Sequence, residues 1–251
     1  MTDDLPIQYL DHDGRQIAYR HREGVGATYV FLPGYASDME GGKATAIDAY
    51  AAQGGRGCLR FDYSGTGSSG GDFAEGTLDR WLGEVLAMID EVAKGPVILI
   101  GSSMGGWLAL LAATRRTDRV GAVLGLAAAP DFTDWGFSEE EKQIVARDGK
   151  LERASGYDDS VMVTYEGFLR SGAGLMLLDK SIDFRGPVRF VHGEADADVP
   201  ARIAAAALQR LTSPDVQLRL IKNSGHRLSE PHEIGAIIGE LHNLDQLVTQ
   251  K

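Results

Sequence analysis

At 251 residues and 43% hydrophobic composition, the chain can bury one sizeable core, and α/β chains of this length commonly form a single domain. Its 25 basic and 36 acidic side chains leave a formal net charge of −11, which excludes nucleic-acid backbones and anionic lipid surfaces as electrostatic partners. The single cysteine, Cys58, excludes an intrachain disulfide, and no apolar run approaches the roughly 18 residues that a membrane-spanning helix needs.

The first residues, Met1-Thr2-Asp3-Asp4, form neither a basic nor an apolar segment, so the expected location is cytoplasmic. Apolar runs at 7–10 and 16–19 flank Asp13-Gly14, a pair that tolerates positive φ, and predict a hairpin. Short strand-like runs follow at 29–32, 58–61, 97–100, 122–126, 188–191 and 216–221, most separated by segments of helical period. That alternation predicts an α/β fold with a mostly parallel sheet of about eight strands and helices on both faces. Leu78, Trp81, Leu82, Val85, Leu86, Ile89 and Val92 recur at helical spacing, with Thr77 placed as a cap and Gly95-Pro96 as a stop. Ile234, Ile237, Ile238, Leu241 and Leu244 repeat the pattern in a terminal helix, and both stripes read as core packing. Residues 131–186 break the alternation and are too long for an ordinary connection, so they read as a small helical lid inserted into one domain spanning 1–251. Within it, helical stretches are expected at 138–146 and 160–169, and a shorter one at 175–178.

Chemistry concentrates at Gly101-Ser102-Ser103-Met104-Gly105, a G-x-S-x-G pattern between a predicted strand and a predicted helix. In a nucleophile elbow the serine sits on a strained turn, and glycines two positions to either side let the flanking chain pass closely. Only Ser103 fits that frame, because Ser102 would need a glycine where Ile100 stands. The competing reading is a glycine-rich turn in which Ser103 caps the helix. A serine nucleophile requires a base, and the base requires an orienting acid. After the strand at 188–191 comes His192-Gly193-Glu194-Ala195-Asp196-Ala197-Asp198, and after the last strand comes Asn223-Ser224-Gly225-His226. The order Ser103, Asp196, His226 is that of the α/β-hydrolase arrangement. Glu194, Asp198 and Asp131 are rival acids, while His12, His21, His192, His232 and His242 read as surface or structural.

Two backbone amides are expected to face the oxyanion, those of Met104, after the nucleophile, and Tyr35, after Leu32-Pro33-Gly34. The glycine-rich stretch from Gly65 to Gly71 lacks the lysine-threonine ending of a phosphate loop and reads as a turn bordering the site. Nothing at ligand spacing suggests a metal, and no cofactor is expected. In the insertion, Phe132, Trp135, Phe137, Tyr157, Tyr165, Phe168, Leu175 and Met176 are candidates to line an acyl pocket; Trp135, Phe137, Tyr165, Phe168 and Met176 are the substrate-binding residues chosen.

Leu32-Pro33-Gly34-Tyr35, Arg60-Phe61-Asp62-Tyr63-Ser64-Gly65, Gly101-Ser102-Ser103-Met104-Gly105-Gly106-Trp107, His192-Gly193 through Val199-Pro200, and His226-Arg227 together resemble the α/β-hydrolase-domain family, in its mitochondrial palmitoyl-protein thioesterase and acyl-glucuronide esterase branch. The resemblance implies a serine hydrolase, with Ser103 acylated, Asp196 orienting and His226 as general base. It implies a small-molecule or lipidated acyl substrate. A small-ester carboxylesterase, a carbon-carbon bond hydrolase and a hydrolase-fold binding protein without turnover are the alternatives.

Overall fold

A computed structural model describes residues 5–154 and 161–249. Asp13 and Gly14 both take positive φ, 50° and 74°, and turn β1 (Gln8–His12) antiparallel onto β2 (Arg15–Arg22). The chain then alternates through β3 (Thr28–Leu32), α1 (Gly42–Gly54), β4 (Cys58–Phe61), α2 (Leu78–Ala87), β5 (Val97–Ser102), α3 (Met104–Arg115) and β6 (Val120–Leu126). An insertion follows, holding α4 (Phe132–Trp135), α5 (Glu139–Asp148), β7 (Lys150–Ala154), β8 (Val161–Tyr165) and α6 (Glu166–Gly172). The alternation resumes with β9 (Val188–Gly193), α7 (Ala201–Arg210), β10 (Val216–Ile221) and α8 (Pro231–Thr249).

Eight strands form one sheet in the order β1-β2-β4-β3-β5-β6-β9-β10. The β1·β2 and β2·β4 pairs are antiparallel and all the others parallel. The central strands are mostly apolar because both faces are covered, with Arg60 of β4 and Arg189 of β9 buried among them. Val30 and Leu32 of β3 and Val97 and Leu99 of β5 pack with residues of α2, α3 and α7. Their alternates, Tyr29, Phe31, Ile98 and Ile100, pack with residues of α1 and α8. Thr77 caps α2 as expected, accepting from the Arg80 amide at 3.4 Å, and the helix widens into a π-turn over Met88–Val92 before Gly95 reverses the chain at φ 67°.

The insertion departs from the helical lid expected. Ser138 and Glu141 form a reciprocal capping box at the start of α5, in agreement with the sequence, but the segment read as helix over 160–169 splits. Residues 161–165 are β8, paired antiparallel with β7, and only from Glu166 does a helix begin; Ser160 lies outside the described residues. Val161, Val163, Thr164 and Tyr165 are β-branched or aromatic, and their strand preference prevails once β7 supplies a ladder. At 175–178 the expected helix is a single 3-10 turn, Ala173–Leu175, followed by an extended Met176 and a turn from Leu178.

Two polar ties fasten the base of this insertion, one to α3 and one between its own two ends. The buried Trp107 indole of α3 donates to the Leu175 carbonyl at 3.1 Å. Asp131, itself buried, accepts from the Leu177 and Leu178 amides at 2.8 and 2.7 Å. Burial pushes the Asp131 carboxyl above the usual carboxylate range, against the pull of those two amides. Asp131→Ala should strand both donors and destabilise the fold by about 2 kcal/mol, read from the urea midpoint at unchanged slope. An unaltered midpoint would remove Asp131 as an anchor.

Candidate active site

The parallel strands bring their carboxyl ends to one edge of the sheet, where α/β folds bind ligands. Ser103 follows β5 there, Tyr35 follows β3, Asp196 follows β9 and His226 follows β10. Ser103 adopts φ 53° and ψ −116°, a conformation strained for a residue with a Cβ. It is held by its own backbone, since its amide donates to Leu126 O at 2.9 Å and its carbonyl accepts from Ala129 at 3.0 Å and Gly106 at 2.9 Å. The side chain makes no capping bond to α3, so the helix-cap reading fails. Both flanking glycines are required by space. A Cβ on Gly105 would collide with the Leu32 and Pro33 carbonyls, and one on Gly101 would collide with the Gly105 backbone.

Gly34 packs directly against the elbow, with the position of a Cβ there 3.5 Å from Ser103 Cβ. Tyr35 therefore follows the residue that abuts the serine. Met104 is the first residue of α3, where an amide has no partner within the helix. The Tyr35 side chain does something the sequence did not disclose. Its hydroxyl donates to Val163 O of β8 at 2.8 Å, tying the loop after β3 to the insertion. Asp62 fixes the far end of that loop, accepting from the Met39 amide at 2.7 Å and from Ser68 at 2.8 Å.

Asp196 and His226 are brought together by two loops zipped side by side. Glu194 N donates to Ile221 O and Ala195 N to Ser224 O, each at 2.9 Å, while a Cβ on Gly193 would strike the Ser224 carbonyl. His226 Nδ1 then donates to Asp196 Oδ2 at 2.9 Å. A carboxylate only accepts, so Nδ1 carries the proton and Nε2 is the accepting nitrogen of the neutral ring. Asp196 Oδ1 accepts from the Asp198 and Val199 amides at 3.0 and 2.8 Å. Burial alone would push the Asp196 carboxyl up, but hydrogen bonds from His192, His226 and Val199 overcome it and hold the group well below the usual carboxylate range.

Two of the three rival acids are placed elsewhere, and the third, Asp198, stays beside the pair. Asp131 holds the insertion, and Glu194 is exposed and paired with Lys222 at 2.5 Å. Asp198 contributes its amide to Asp196, and its carboxylate, Asp196 and His226 each offer a ligand atom within 4.8 Å of the others. As a cation site this trio is compromised, because Asp196 Oδ2 and His226 Nδ1 are already bonded to each other.

Among the insertion residues, Phe168 is buried beside Tyr35, their rings 4.6 Å apart, with Trp81 at 5.5 Å and Phe132 at 5.6 Å. Tyr165 meets the edge of Phe73 at 6.2 Å, and Phe73 lies 5.2 Å from Tyr35. Met176 lines a cavity of about 450 Å³ together with Thr133, Lys142 and Leu169. Phe137 reaches this aromatic group only at its rim, its ring 6.1 Å from that of Phe132, and Trp135 packs with Ala129, Val199 and Ile203. Trp135 donates to Pro130 O at 2.8 Å, and Phe137 is buried against Val145 and Leu151 with Arg153 over its ring. Tyr157 lies outside the described residues. Phe73 was missed because it stands alone in a polar turn, with no periodic neighbour to mark it.

A sheet of this order, with a strained serine at the β5–α3 turn and a histidine-carboxylate pair after the last two strands, defines an α/β hydrolase. The chain belongs to the alpha/beta hydrolase family, whose pattern matches residues 29–237. It is 38% identical over 238 residues to the mitochondrial palmitoyl-protein thioesterase ABHD10 of Homo sapiens, covering 93% of this chain and 78% of that protein. The alpha/beta hydrolase domain-containing protein 10 from mouse superposes with a TM-score of 0.90 at 34% identity, over 96% of this chain and 98% of that one. A putative hydrolase from Agrobacterium vitis S4 superposes with a TM-score of 0.89 at 35% identity, over 95% of this chain and 99% of that one.

These relatives overturn the expected cytoplasmic location, since the five curated ones are all named mitochondrial. The acidity of four residues carries no information about compartment. Among the described residues no helix is long and apolar enough to cross a membrane.

Proposed function

We propose that this chain hydrolyses acyl thioesters or esters through an acyl-enzyme on Ser103. The observation that carries the reading is the Ser103 backbone, locked at positive φ with its side chain unused by the helix, on the sheet edge that also holds the Asp196–His226 pair. Ser103 Oγ attacks the carbonyl carbon and its proton passes to His226 Nε2. The tetrahedral intermediate is held by the Met104 and Tyr35 amides, and its collapse expels the thiol with the proton from His226. Water, deprotonated by the same nitrogen, then releases the acid and restores Ser103. Asp196 keeps the imidazole in the Nδ1–H tautomer and stabilises the imidazolium. No cofactor enters any step.

The substrate class follows from the relatives named as palmitoyl-protein thioesterases and from the aromatic group beside the proposed oxyanion loop. Phe168, Tyr165 and Met176 are proposed to receive the acyl chain, while Trp135 and Phe137 brace the insertion that carries them. In this reading 1–251 is one domain, with 131–186 as its lid.

A series of acyl thioesters from acetyl to palmitoyl, beside p-nitrophenyl acetate, tests the proposal. Each methylene buried contributes up to about 0.8 kcal/mol, so kcat/KM should rise at least about tenfold along the series. A profile that falls with length would make the chain a short-ester hydrolase instead.

A further inference from the structure

A second imidazole touches the proposed catalytic acid. His192, in β9, is fully buried, and its Nε2 lies 2.7 Å from Val199 O and 3.3 Å from Asp196 Oδ2. Both oxygens only accept, so Nε2 carries the proton, donating it to Val199 O with Asp196 Oδ2 within ion-pair distance on the same side. The other ring nitrogen, Nδ1, is buried with no hydrogen-bond partner among the described residues. A leucine would fill the same space without stranding a polar atom, which marks the imidazole as more than packing.

We infer that His192 is a positioning residue that fixes the Asp196 carboxylate for His226. The four contacts on that carboxylate divide by origin. Oδ1 is held by the Asp198 and Val199 amides of its own turn, and Oδ2 by His192 and His226. Without His192, only the turn's amides restrain the carboxylate plane, and Oδ2 is free to swing away from His226. Val199 closes the brace, since its amide donates to Asp196 while its carbonyl accepts from His192. An imidazole can donate without carrying charge, so it can hold Oδ2 without cancelling the negative charge that His226 needs. A cationic lysine or arginine at this place would hold the carboxylate and spend its charge at once. The inference rests on the reading of Asp196 and His226 as acid and base, and the two are tested by different signals.

The experiment compares His192→Leu, His192→Gln and His192→Asn in the full chain. Glutamine can place an N–H near the original Nε2, whereas asparagine reaches only as far as Nδ1. In His192→Leu, kcat for a thioester should fall about ten- to a hundredfold with KM within about twofold. The far-downfield proton resonance of the His226 Nδ1–H should broaden or vanish, while the thermal midpoint identifies the fraction folded. His192→Gln should recover both kcat and the resonance, and His192→Asn neither. Wild-type kcat with an intact resonance in His192→Leu would overturn the inference. So would Gln and Asn variants that behave alike, a comparison that stands even if the leucine variant does not fold. The resonance reports the Asp196–His226 bond without turnover, so failure of the positioning role is distinguishable from failure of the Ser103 mechanism.

Discussion

Ser103→Ala is expected to abolish fluorophosphonate labelling and to lower kcat about a millionfold, leaving only what the oxyanion amides and binding contribute. The argument is geometric. Ser103 has its amide and carbonyl consumed by β6 and the following loop, so the hydroxyl is the one group of this residue left for chemistry. The same substitution should leave stability almost unchanged, because alanine keeps the Cβ and with it the strain of φ 53°. Ser103→Gly separates the two effects. It should be equally inactive and more stable by about 1 kcal/mol, since glycine occupies that region without a clash. Stability gained where activity is lost is the expected signature of an elbow held under strain. Labelling that persists in Ser103→Ala would move the nucleophile elsewhere and end the acyl-enzyme proposal.

Much of this arrangement was legible in the chain, for reasons that differ by element. The strands β3, β5 and β6 are buried on both faces and read as nearly unbroken apolar runs, a signal that needs no knowledge of partners, while β4 and β9 keep enough apolar residues around Arg60 and Arg189 to be read as strands too. The elbow could be read because Gly101 and Gly105 answer to backbone atoms that would otherwise collide. The insertion was misread because β7, Lys150–Ala154, carries no strand signal of its own, and β8 is a strand only by pairing with it. Pairing across a loop is non-local information, invisible to periodicity. His192 was read as structural, and its contact with Asp196 escaped because four residues around a glycine turn do not fix which way a ring points. Asp131 followed β6 where an acid could have faced the serine, yet its carboxylate answers to the two amides at Leu177 and Leu178 that the later chain delivers.

Asp196→Asn is the second substitution expected to be severe, at about ten-thousandfold in kcat with the fold retained. Four N–H donors converge on this carboxylate, two from the backbone and two from imidazoles. An amide has one oxygen and one NH2 group, so it cannot accept from all four. The backbone amides of Asp198 and Val199 cannot change protonation, so the asparagine oxygen turns to them and the NH2 group faces the rings. His226 must then present a lone pair at Nδ1 and carry its proton on Nε2, the nitrogen required to accept from Ser103. The catalyst is intact in position and wrong in tautomer. The same carboxyl gives the substitution a second readout. Its affinity for protons is lower folded than unfolded, so its contribution to stability is fully present above about pH 4 and fades as pH falls below that. Asp62, Glu84 and Asp131 act in the opposite sense, because burial raises each of them and protonation relieves it. Their effect is common to both proteins and cancels in the difference. The stability gap between wild type and Asp196→Asn should therefore narrow on acidification below pH 4, and a gap independent of pH would show that the carboxylate is not held in its charged form by these donors.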